Sequence, residues 1–222
     1  MKRLALVFAL LFVCGVNRAQ AAVIQVGAFV GSDHVDWSQL SLGLQGTPTT
    51  TVTSVNGNSV DVTGNGDDLY AFREGTNFTG DYAVGEYGVG VAAFSGGETL
   101  TLDFTTLVSA VGAQIQPDVY GNYTAELRLF DSGLNLIGGP FQVSSSLSGS
   151  QDDSNPFLGA QSDSANIARA VFAIVLHDTA PDNAGVFINQ LELDAAVPEP
   201  VSLSLLGFGL ACYSVRRRRG VR

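Results

Sequence analysis

Short runs of β-branched and aromatic residues recur along this chain, each bounded by glycine, asparagine, aspartate or serine. Thr99–Phe104 alternates polar and apolar side chains, as a strand does when only one of its faces is buried. Tyr123–Phe130 and Val186–Leu193 have similar patterns, and Val171–Leu176 is continuously apolar. The same criteria predict further strands at Val23–Phe29, Val52–Val55, Ala83–Phe94 and Val108–Ile115.

Turn-forming residues separate these runs. The chain has 26 glycines, which suit tight turns and disfavour long helices. Only Gln161–Ala170 suggests a short turn of helix, and the serine-rich stretch Ser144–Ser154 predicts a surface loop. Many short strands joined by turns predict an all-β fold, namely an antiparallel β-sandwich with a jelly roll as the expected arrangement.

The N-terminus has the parts of a secretory signal peptide. Two basic residues precede the apolar run Leu4–Val13, and Ala19-Gln20-Ala21 offers a cleavage site between small residues. We therefore predict that residues 1–21 form a signal helix that is removed. A lipoprotein signal through Cys14 is the alternative, which the bulky residue before it, Val13, disfavours.

The C-terminus combines three signals in a fixed order. A Pro-acid-Pro triplet precedes the apolar run Val201–Val215, and an arginine cluster follows that run. As a helix the run would be about 22 Å long, which is short for a hydrocarbon core of about 30 Å. Arginines mark the cytoplasmic side of a membrane, so we predict a marginal transmembrane helix at 201–215. An ordinary tail anchor or a last buried strand is the alternative. The residues that carry the signal are Pro198, Glu199 and Pro200, then Arg216, Arg217, Arg218 and Arg219.

Together these residues resemble the PEP-CTERM sorting signal of Gram-negative bacteria, which would occupy residues 197–222. The resemblance implies that an exosortase, a membrane-embedded transpeptidase-like enzyme, handles the protein at the inner membrane. It implies cleavage near the Pro-Glu-Pro triplet, and release to the exterior or attachment at the outer surface. It also implies an association with exopolysaccharide and biofilm. Such a sorting signal determines where the protein is sent and gives little information about the function of the domain that precedes it.

Removing both ends leaves residues 22–196 as the predicted ectodomain. Both cysteines, Cys14 and Cys212, lie outside it, so it has no disulfide. Of the 11 basic residues it keeps only three arginines, and of the 21 acidic residues it loses only Glu199, so its formal net charge is −17. Nucleic acid is disfavoured as a partner, because the cationic contacts to phosphates are lacking.

No residue pattern of a known catalytic site stands out in the ectodomain. The two histidines, His34 and His177, are far apart in sequence, and no Gly-x-Ser-x-Gly elbow accompanies them. The acidic residues are numerous enough to supply a glycosidase pair, but sequence does not choose a pair. We therefore predict a non-enzymatic protein, with an extracellular glycan-active enzyme as an alternative.

One acidic segment has the spacing of a calcium loop. Asp61, Thr63, Asn65 and Asp67 alternate with other residues around a glycine, as in the first half of such a loop. The acidic residue expected at the twelfth position is absent, because that residue is Phe72. A glycine-rich turn between strands is therefore the simpler interpretation. Calcium is the only cofactor that the sequence suggests.

The single tryptophan, Trp37, is a candidate for carbohydrate binding, because exposed tryptophan rings stack on sugars. A buried core position is the simpler interpretation. The ectodomain also resembles, through core patterns alone, the β-sandwich ectodomains common in PEP-CTERM proteins. We expect a non-enzymatic surface or matrix protein whose partners are an exosortase and an exopolysaccharide. A calcium-dependent lectin-like module is the first alternative. The core patterns are Val35–Leu40, Val111–Ile115, Thr124–Leu127, Phe157–Gly159 and Ile167–Phe172.

Overall fold

The computed structural model describes residues 22–65, 68–92, 98–179 and 184–195. In these ranges strands dominate, and a short 3-10 turn at Trp37–Gln39 follows the second strand. The strands, in chain order, are β1 (Val23–Val26), β2 (Asp33–Val35), β3 (Gly43–Leu44), β4 (Thr49–Thr53), β5 (Ser59–Gly64), β6 (Leu69–Arg73), β7 (Tyr87–Val91), β8 (Thr99–Gln116), β9 (Gly121–Phe130), β10 (Phe141–Leu147), β11 (Phe157–Ser162), β12 (Ile167–His177), β13 (Val186–Ile188) and β14 (Leu191–Ala195).

The longest of these strands, β8, belongs to both halves of the fold. It has 18 residues, and its buried side chains alternate up to Phe104 and resume at Val108. Thr105, Thr106 and Leu107 between them are exposed. The first half pairs with β5 and β12, and the second half pairs with β11 and β14. The exposed triplet is thus the point where β8 changes neighbours.

Two antiparallel layers meet at β8. The first has the strand order β4-β5-β8-β12-β9-β10. The second has the order β1-β11-β8-β14-β2, and β13-β7-β6-β3 extends it from the end of β8. Strands β9 and β10 approach β11, and β12 approaches β13, so the layers face each other as a sandwich.

The main core lies between the layers. Leu102 and Phe172 from the first layer and Val111, Leu158 and Ile188 from the second are fully buried in one cluster. A smaller aromatic cluster fills the space beside β7 and β13. It consists of Phe72, Tyr82 and Phe187, with Tyr70 and Phe78 packed against it.

The structure confirms the all-β antiparallel prediction, whereas the jelly-roll order stays a prediction. Two details differ. Val108–Ile115 is not a separate strand, because it continues from Thr99–Phe104 within β8. Gln161–Ala170 does not form a helical turn but the end of β11 and the start of β12, since both strands pair with β8.

Within the described ranges, no helix is both long and apolar enough to cross a membrane. The predicted signal peptide at residues 1–21 and the predicted transmembrane helix at 201–215 lie outside those ranges.

Candidate functional site

A concave surface lies at one end of β9, β10 and β12, and we call it the polar groove. It encloses about 610 Å³. Its lining is rich in hydroxyl and amide side chains and consists of Asn122, Tyr123, Thr124, Ser144, Ser145, Ser146, Leu176 and Asp178.

The register of β9 and β10 produces this surface. Asn122 lies opposite Ser146, and Thr124 lies opposite Ser144. Because alternate residues of a strand point to the same face, all four side chains share the outer face. The Oγ1 atom of Thr124 and the Oγ atom of Ser144 are 2.9 Å apart and form a hydrogen bond. Tyr123 points inward instead, and its hydroxyl donates to the carbonyl of Ile115 at 2.8 Å.

A β-bulge on β12 gives the groove its apolar side. The register between β12 and β9 shifts between Ile174 and Leu176, where Leu176 pairs with Thr124. The extra residue turns the side chains of both Val175 and Leu176 to solvent, and Leu176 is 62% exposed. An exposed leucine therefore stands beside the row of hydroxyl groups.

Asp178 closes one end of the groove. Its carboxylate accepts hydrogen bonds from the side-chain Nδ2 of Asn122 at 2.8 Å and from its backbone N–H at 3.1 Å. These bonds hold the pKa of Asp178 below its ordinary value. Gly121 precedes Asn122 with a φ of +135°, and a Cβ at that position would meet the Asp178 carboxylate. The glycine therefore permits the close approach that fixes this end.

A charged pair lies further along β9, beyond the residues that line the groove. Glu126 is 4% exposed and forms an ion pair of 2.5 Å with Arg128, whose side chain is half exposed. The same carboxylate accepts a hydrogen bond from Gln142 Nε2 at 2.6 Å. The positive charge of Arg128 is therefore matched by a neighbouring carboxylate.

A second, smaller cavity lies beside the 3-10 turn, and we call it the Glu86 cavity. Its volume is about 200 Å³, and its lining consists of Asp36, Trp37, Gly85, Glu86, Tyr87 and Gln190. Burial raises the pKa of Glu86, although a hydrogen bond from Asn189 partly opposes the shift. Asn189 Nδ2 donates to Glu86 Oε2 at 3.3 Å.

Trp37 lies in the core, as the simpler interpretation of the sequence expected. It is 1% exposed, and its indole N–H donates to the carbonyl of Asn189 at 2.7 Å. The hypothesis that an exposed ring stacks on sugars is therefore corrected, because solvent does not reach the ring face. Trp37 is nevertheless one of the residues that line the Glu86 cavity.

The candidate calcium residues do not form a loop. Asp61 and Thr63 belong to β5, where the chain is extended, and Asn65 follows that strand. Alternate residues of a strand are about 6.6 Å apart along its axis, whereas oxygen ligands of calcium converge to about 2.4 Å from the ion. Asp61 instead accepts a hydrogen bond from Thr51 Oγ1 at 2.6 Å. Asp67 lies outside the described residues.

The two histidines have separate local roles. His177 is 1% exposed, and its Nε2 lies 2.9 Å from the carbonyl oxygen of Val119. His34 lies in β2, which pairs with β14, and the carbonyl of His34 accepts a hydrogen bond from the backbone N–H of Val55 at 2.9 Å.

The groove residues do not stand out in the sequence. Asn122 and Thr124 lie at the edge of a predicted strand, whereas Ser144 and Ser146 lie in a predicted loop. The signal that could have found them is the alternation in Phe141–Leu147, where the buried ends enclose a polar stretch. Only the strand register brings the two segments together.

Comparisons with solved structures give distant likenesses. The K2 cleaved adhesin domain of Lys-gingipain is 12% identical, with 72% of this chain and 98% of that chain covered at a TM-score of 0.38. A family 6 carbohydrate-binding module is 14% identical, with 60% and 87% covered at a TM-score of 0.34. A xylan-binding domain from Paenibacillus barcinonensis is 13% identical, with 77% and 99% covered at a TM-score of 0.34. At such TM-scores, the function of this chain has to be argued from its own residues.

No curated protein matches the sequence. A family model, described as the PEP-CTERM protein-sorting motif, does match the C-terminal part of the chain over residues 196–219. The matched range contains the Pro-Glu-Pro triplet, the apolar run and the arginine cluster, all of which lie outside the described residues. The chain therefore carries a PEP-CTERM protein-sorting motif, which marks it for export and for handling by an exosortase.

Proposed function

We propose that this protein is a non-enzymatic component of the bacterial cell surface or extracellular matrix, which binds a neutral polysaccharide in the polar groove. The sorting motif supports delivery to the exterior by an exosortase. The observation that carries the binding role is the groove itself, whose hydroxyl and amide side chains surround one exposed leucine. Because the resemblance to PEP-CTERM proteins implies such a setting, exopolysaccharide in a biofilm is the expected source of the ligand.

The lining of the groove matches the chemistry of a sugar chain. Hydroxyl groups of Thr124 and Ser144 and the amide of Asn122 both donate and accept hydrogen bonds, as sugar hydroxyls do. Leu176 offers apolar surface of the kind that the C–H face of a sugar ring covers. Binding sites for small organic groups commonly combine apolar contact with a few placed polar groups in this way.

Charge favours a neutral polymer over an acidic one. The predicted ectodomain has a formal net charge of −17, so uronic acids and sulfated sugars would be repelled. Arg128, which lies further along β9 than the groove lining, is paired with Glu126 and is not available as a free cation. A polymer of uncharged sugars meets no such barrier.

Binding without catalysis is supported by the partners of the groove side chains. The Thr124 and Ser144 hydroxyls are hydrogen-bonded to each other. The nearby His177 ring points its Nε2 at a backbone carbonyl on the buried side. A nucleophilic serine would instead share a hydrogen bond with a general base.

The test is binding of the purified protein to the exopolysaccharide of its own host. The double variant Thr124→Val/Ser144→Ala removes both members of one hydroxyl pair from the groove. Each hydrogen bond contributes about 1 kcal/mol, so the loss of two corresponds to about 2 kcal/mol. Because 1.4 kcal/mol is a tenfold change in affinity, we expect binding to weaken roughly thirtyfold. Isothermal titration calorimetry measures the change.

The chain offers a matched control. Thr49 on β4 and Thr63 on β5 form a similar hydroxyl pair at 3.1 Å, outside the groove. Thr49→Val/Thr63→Ala should therefore leave binding unchanged. Equal affinity of the groove variant and the control variant would contradict the proposed site. Release of new reducing ends from the polysaccharide would contradict the non-enzymatic role.

A further inference from the structure

The Glu86 cavity has features that the polar groove lacks. Two carboxylates, Asp36 and Glu86, line a space of about 200 Å³ together with two aromatic residues, Trp37 and Tyr87. That volume is far larger than a single water needs and smaller than pockets for drug-sized ligands, which are about 300–1,000 Å³. The cavity therefore suits one small organic group, such as a single sugar ring.

The charges around this cavity are mostly negative. Glu86 is half-buried, and the charges of Asp153 and Glu74 add to the effect of burial in disfavouring its ionised form. Asp36 is exposed at the rim, where its carboxylate accepts hydrogen bonds from the backbone N–H and the hydroxyl of Ser38, both at 2.8 Å. A cation in the cavity would relieve the repulsion among these carboxylates.

One arginine lies close to the cavity. The guanidinium of Arg73 stands over the ring of Tyr87 at 5.3 Å from its centroid, and its Nε donates to the carbonyl of Gly85 at 3.2 Å. The ring of Tyr87 thus already binds a cation through its π face. Arg73 is held on the chain and supplies one positive charge to a region with four carboxylates.

The walls of the cavity favour an organic cation over a metal ion. Calcium and magnesium are hard cations that require six or more oxygen ligands at short distance. Only two of the lining residues carry carboxylates, and the described residues contain no group of three or more side chains that could hold a metal ion. An ammonium group needs fewer partners, since one carboxylate forms a strong charge-assisted hydrogen bond with it. The amide of Gln190 adds a hydrogen-bonding group at the rim.

We propose that the Glu86 cavity is a second ligand site, separate from the polar groove, which binds a protonated primary amine carried on a group the size of one sugar ring. Glu86 pairs with the ammonium group, Asp36 contacts it from the rim, and the half-buried Tyr87 packs against the carbon atoms of the sugar ring. In a polysaccharide, the corresponding residue is a hexosamine without an N-acetyl group. This site would let the acidic ectodomain hold a cationic polymer.

Trp37 makes the test direct, because it is the only tryptophan in the chain and it borders the cavity. A glucosamine oligomer added to the purified protein is expected to change Trp37 fluorescence until the site is saturated. The N-acetylated oligomer of equal length is expected to cause at least a tenfold weaker response. Equal responses to the two oligomers, or no response to either, would overturn the proposal without any variant.

Variants assign the response to the cavity. Glu86→Gln keeps the shape of the side chain and removes its charge, so the affinity for the glucosamine oligomer should fall at least tenfold. Asp163→Asn removes one charge at an exposed position outside the cavity and should leave the affinity unchanged. Equal losses in both variants would mean attraction by overall charge only and would overturn the site.

Two further measurements separate the Glu86 cavity from the polar groove and from a metal site. The groove variant Thr124→Val/Ser144→Ala should keep the full Trp37 response, so that failure of one site is distinguishable from failure of the other. Loss of the response in that variant would overturn the independence of the cavity. Calcium chloride should not reproduce the response, and a saturable calcium response that displaces the oligomer would identify a metal site instead.

Discussion

Asp81 shows how a single buried carboxylate can fasten a loop. Its side chain is 1% exposed and accepts hydrogen bonds from the backbone N–H groups of Ser148 at 2.8 Å and Ser150 at 2.5 Å, and from both serine hydroxyls. Burial raises the pKa of Asp81, but these hydrogen bonds outweigh burial and hold the pKa below its ordinary value. The ionised carboxylate therefore anchors the loop after β10.

Glu74 fastens the same region in a similar way. It is 1% exposed, and its Oε1 accepts from the backbone N–H of Gly80 and from Gln151 Nε2, both at 3.0 Å. Gln151 in turn donates its backbone N–H to the Gly80 carbonyl at 3.0 Å. Neutral donors thus hydrogen-bond both buried side chains, and these bonds connect the segment around residues 74–81 to the segment around residues 148–151.

We predict that Asp81→Asn lowers the free energy of unfolding by about 2 kcal/mol at neutral pH, since an amide leaves some of these buried donors without a charged acceptor. Because the folded-state pKa is depressed, the contribution of Asp81 is present above its unfolded pKa of about 3.9. It is lost as the pH falls through the lower folded value. The difference between wild type and variant should therefore shrink in acid. Urea unfolding at a series of pH values measures it.

Asp163→Asn is the control for this experiment, because it removes the same charge from an exposed side chain. It should change the free energy of unfolding by less than about 0.5 kcal/mol. A difference between Asp81→Asn and wild type that stays constant down to low pH would show that the ionised state of Asp81 does not matter.

Strand β7 packs closely against the rings of the smaller aromatic cluster. Its sequence is Tyr-Gly-Val-Gly-Val, so Gly88 and Gly90 leave one face of the strand without side chains. A Cβ on Gly88 would meet the ring of Phe72, and a Cβ on Gly90 would meet the ring of Phe187 and the carbonyl of Val186. The two glycines therefore create the space for the smaller aromatic cluster.

We predict that Gly90→Ala destabilises the protein by about 1–3 kcal/mol, the usual cost of overpacking a filled core. The new methyl group would push β7 away from β13 or move Phe187 out of its position. Gly27→Ala is the matched control, because nothing lies within 4 Å of a Cβ at that exposed position. Thermal unfolding followed by circular dichroism compares the two. Equal melting temperatures would contradict the packing described for β7.

Local sequence pattern located most strands but not their pairing. Alternation in Thr99–Phe104 marked the first half of β8, yet nothing local shows that the strand continues past the exposed residues 105–107. Gln161–Ala170 was predicted as a short turn of helix, whereas pairing with β8 makes most of it strand. Both differences arise because long-range pairing overrides local preference.

Long-range strand pairing also explains why the sequence did not locate the sites within the ectodomain. The oxygen-rich spacing of Asp61, Thr63 and Asn65 suggested a loop, but their strand pairs with β4 and β8. The polar groove depends on the register between β9 and β10 and on a bulge in β12, and neither is visible in the sequence. The sorting motif was predictable, because its three parts are contiguous and do not depend on folding of the ectodomain.

Over the whole molecule, acidic and basic residues are separated between the predicted ectodomain and the C-terminal tail. The predicted ectodomain has a formal net charge of −17, whereas the tail ends in an arginine cluster. Basic residues beside an apolar segment stay on the cytoplasmic side. The chain thus has the charge asymmetry expected of a domain that is exported while its C-terminal tag stays in the membrane.

We predict that the protein found outside its host lacks residues 1–21 and has been cut near the triplet Pro198–Pro200. Removing Arg216–Arg219 should leave an uncut chain that stays with the cell, because nothing then holds the tag at the cytoplasmic face. Intact-mass spectrometry of the cytoplasmic, membrane and extracellular fractions measures both effects.

Replacing the same four arginines by lysines keeps the charge, and this control should be cut and exported normally. If the arginine deletion were processed like wild type, the charge of the tail would have no part in sorting. If the lysine variant also stayed uncut, recognition would depend on the guanidinium groups themselves.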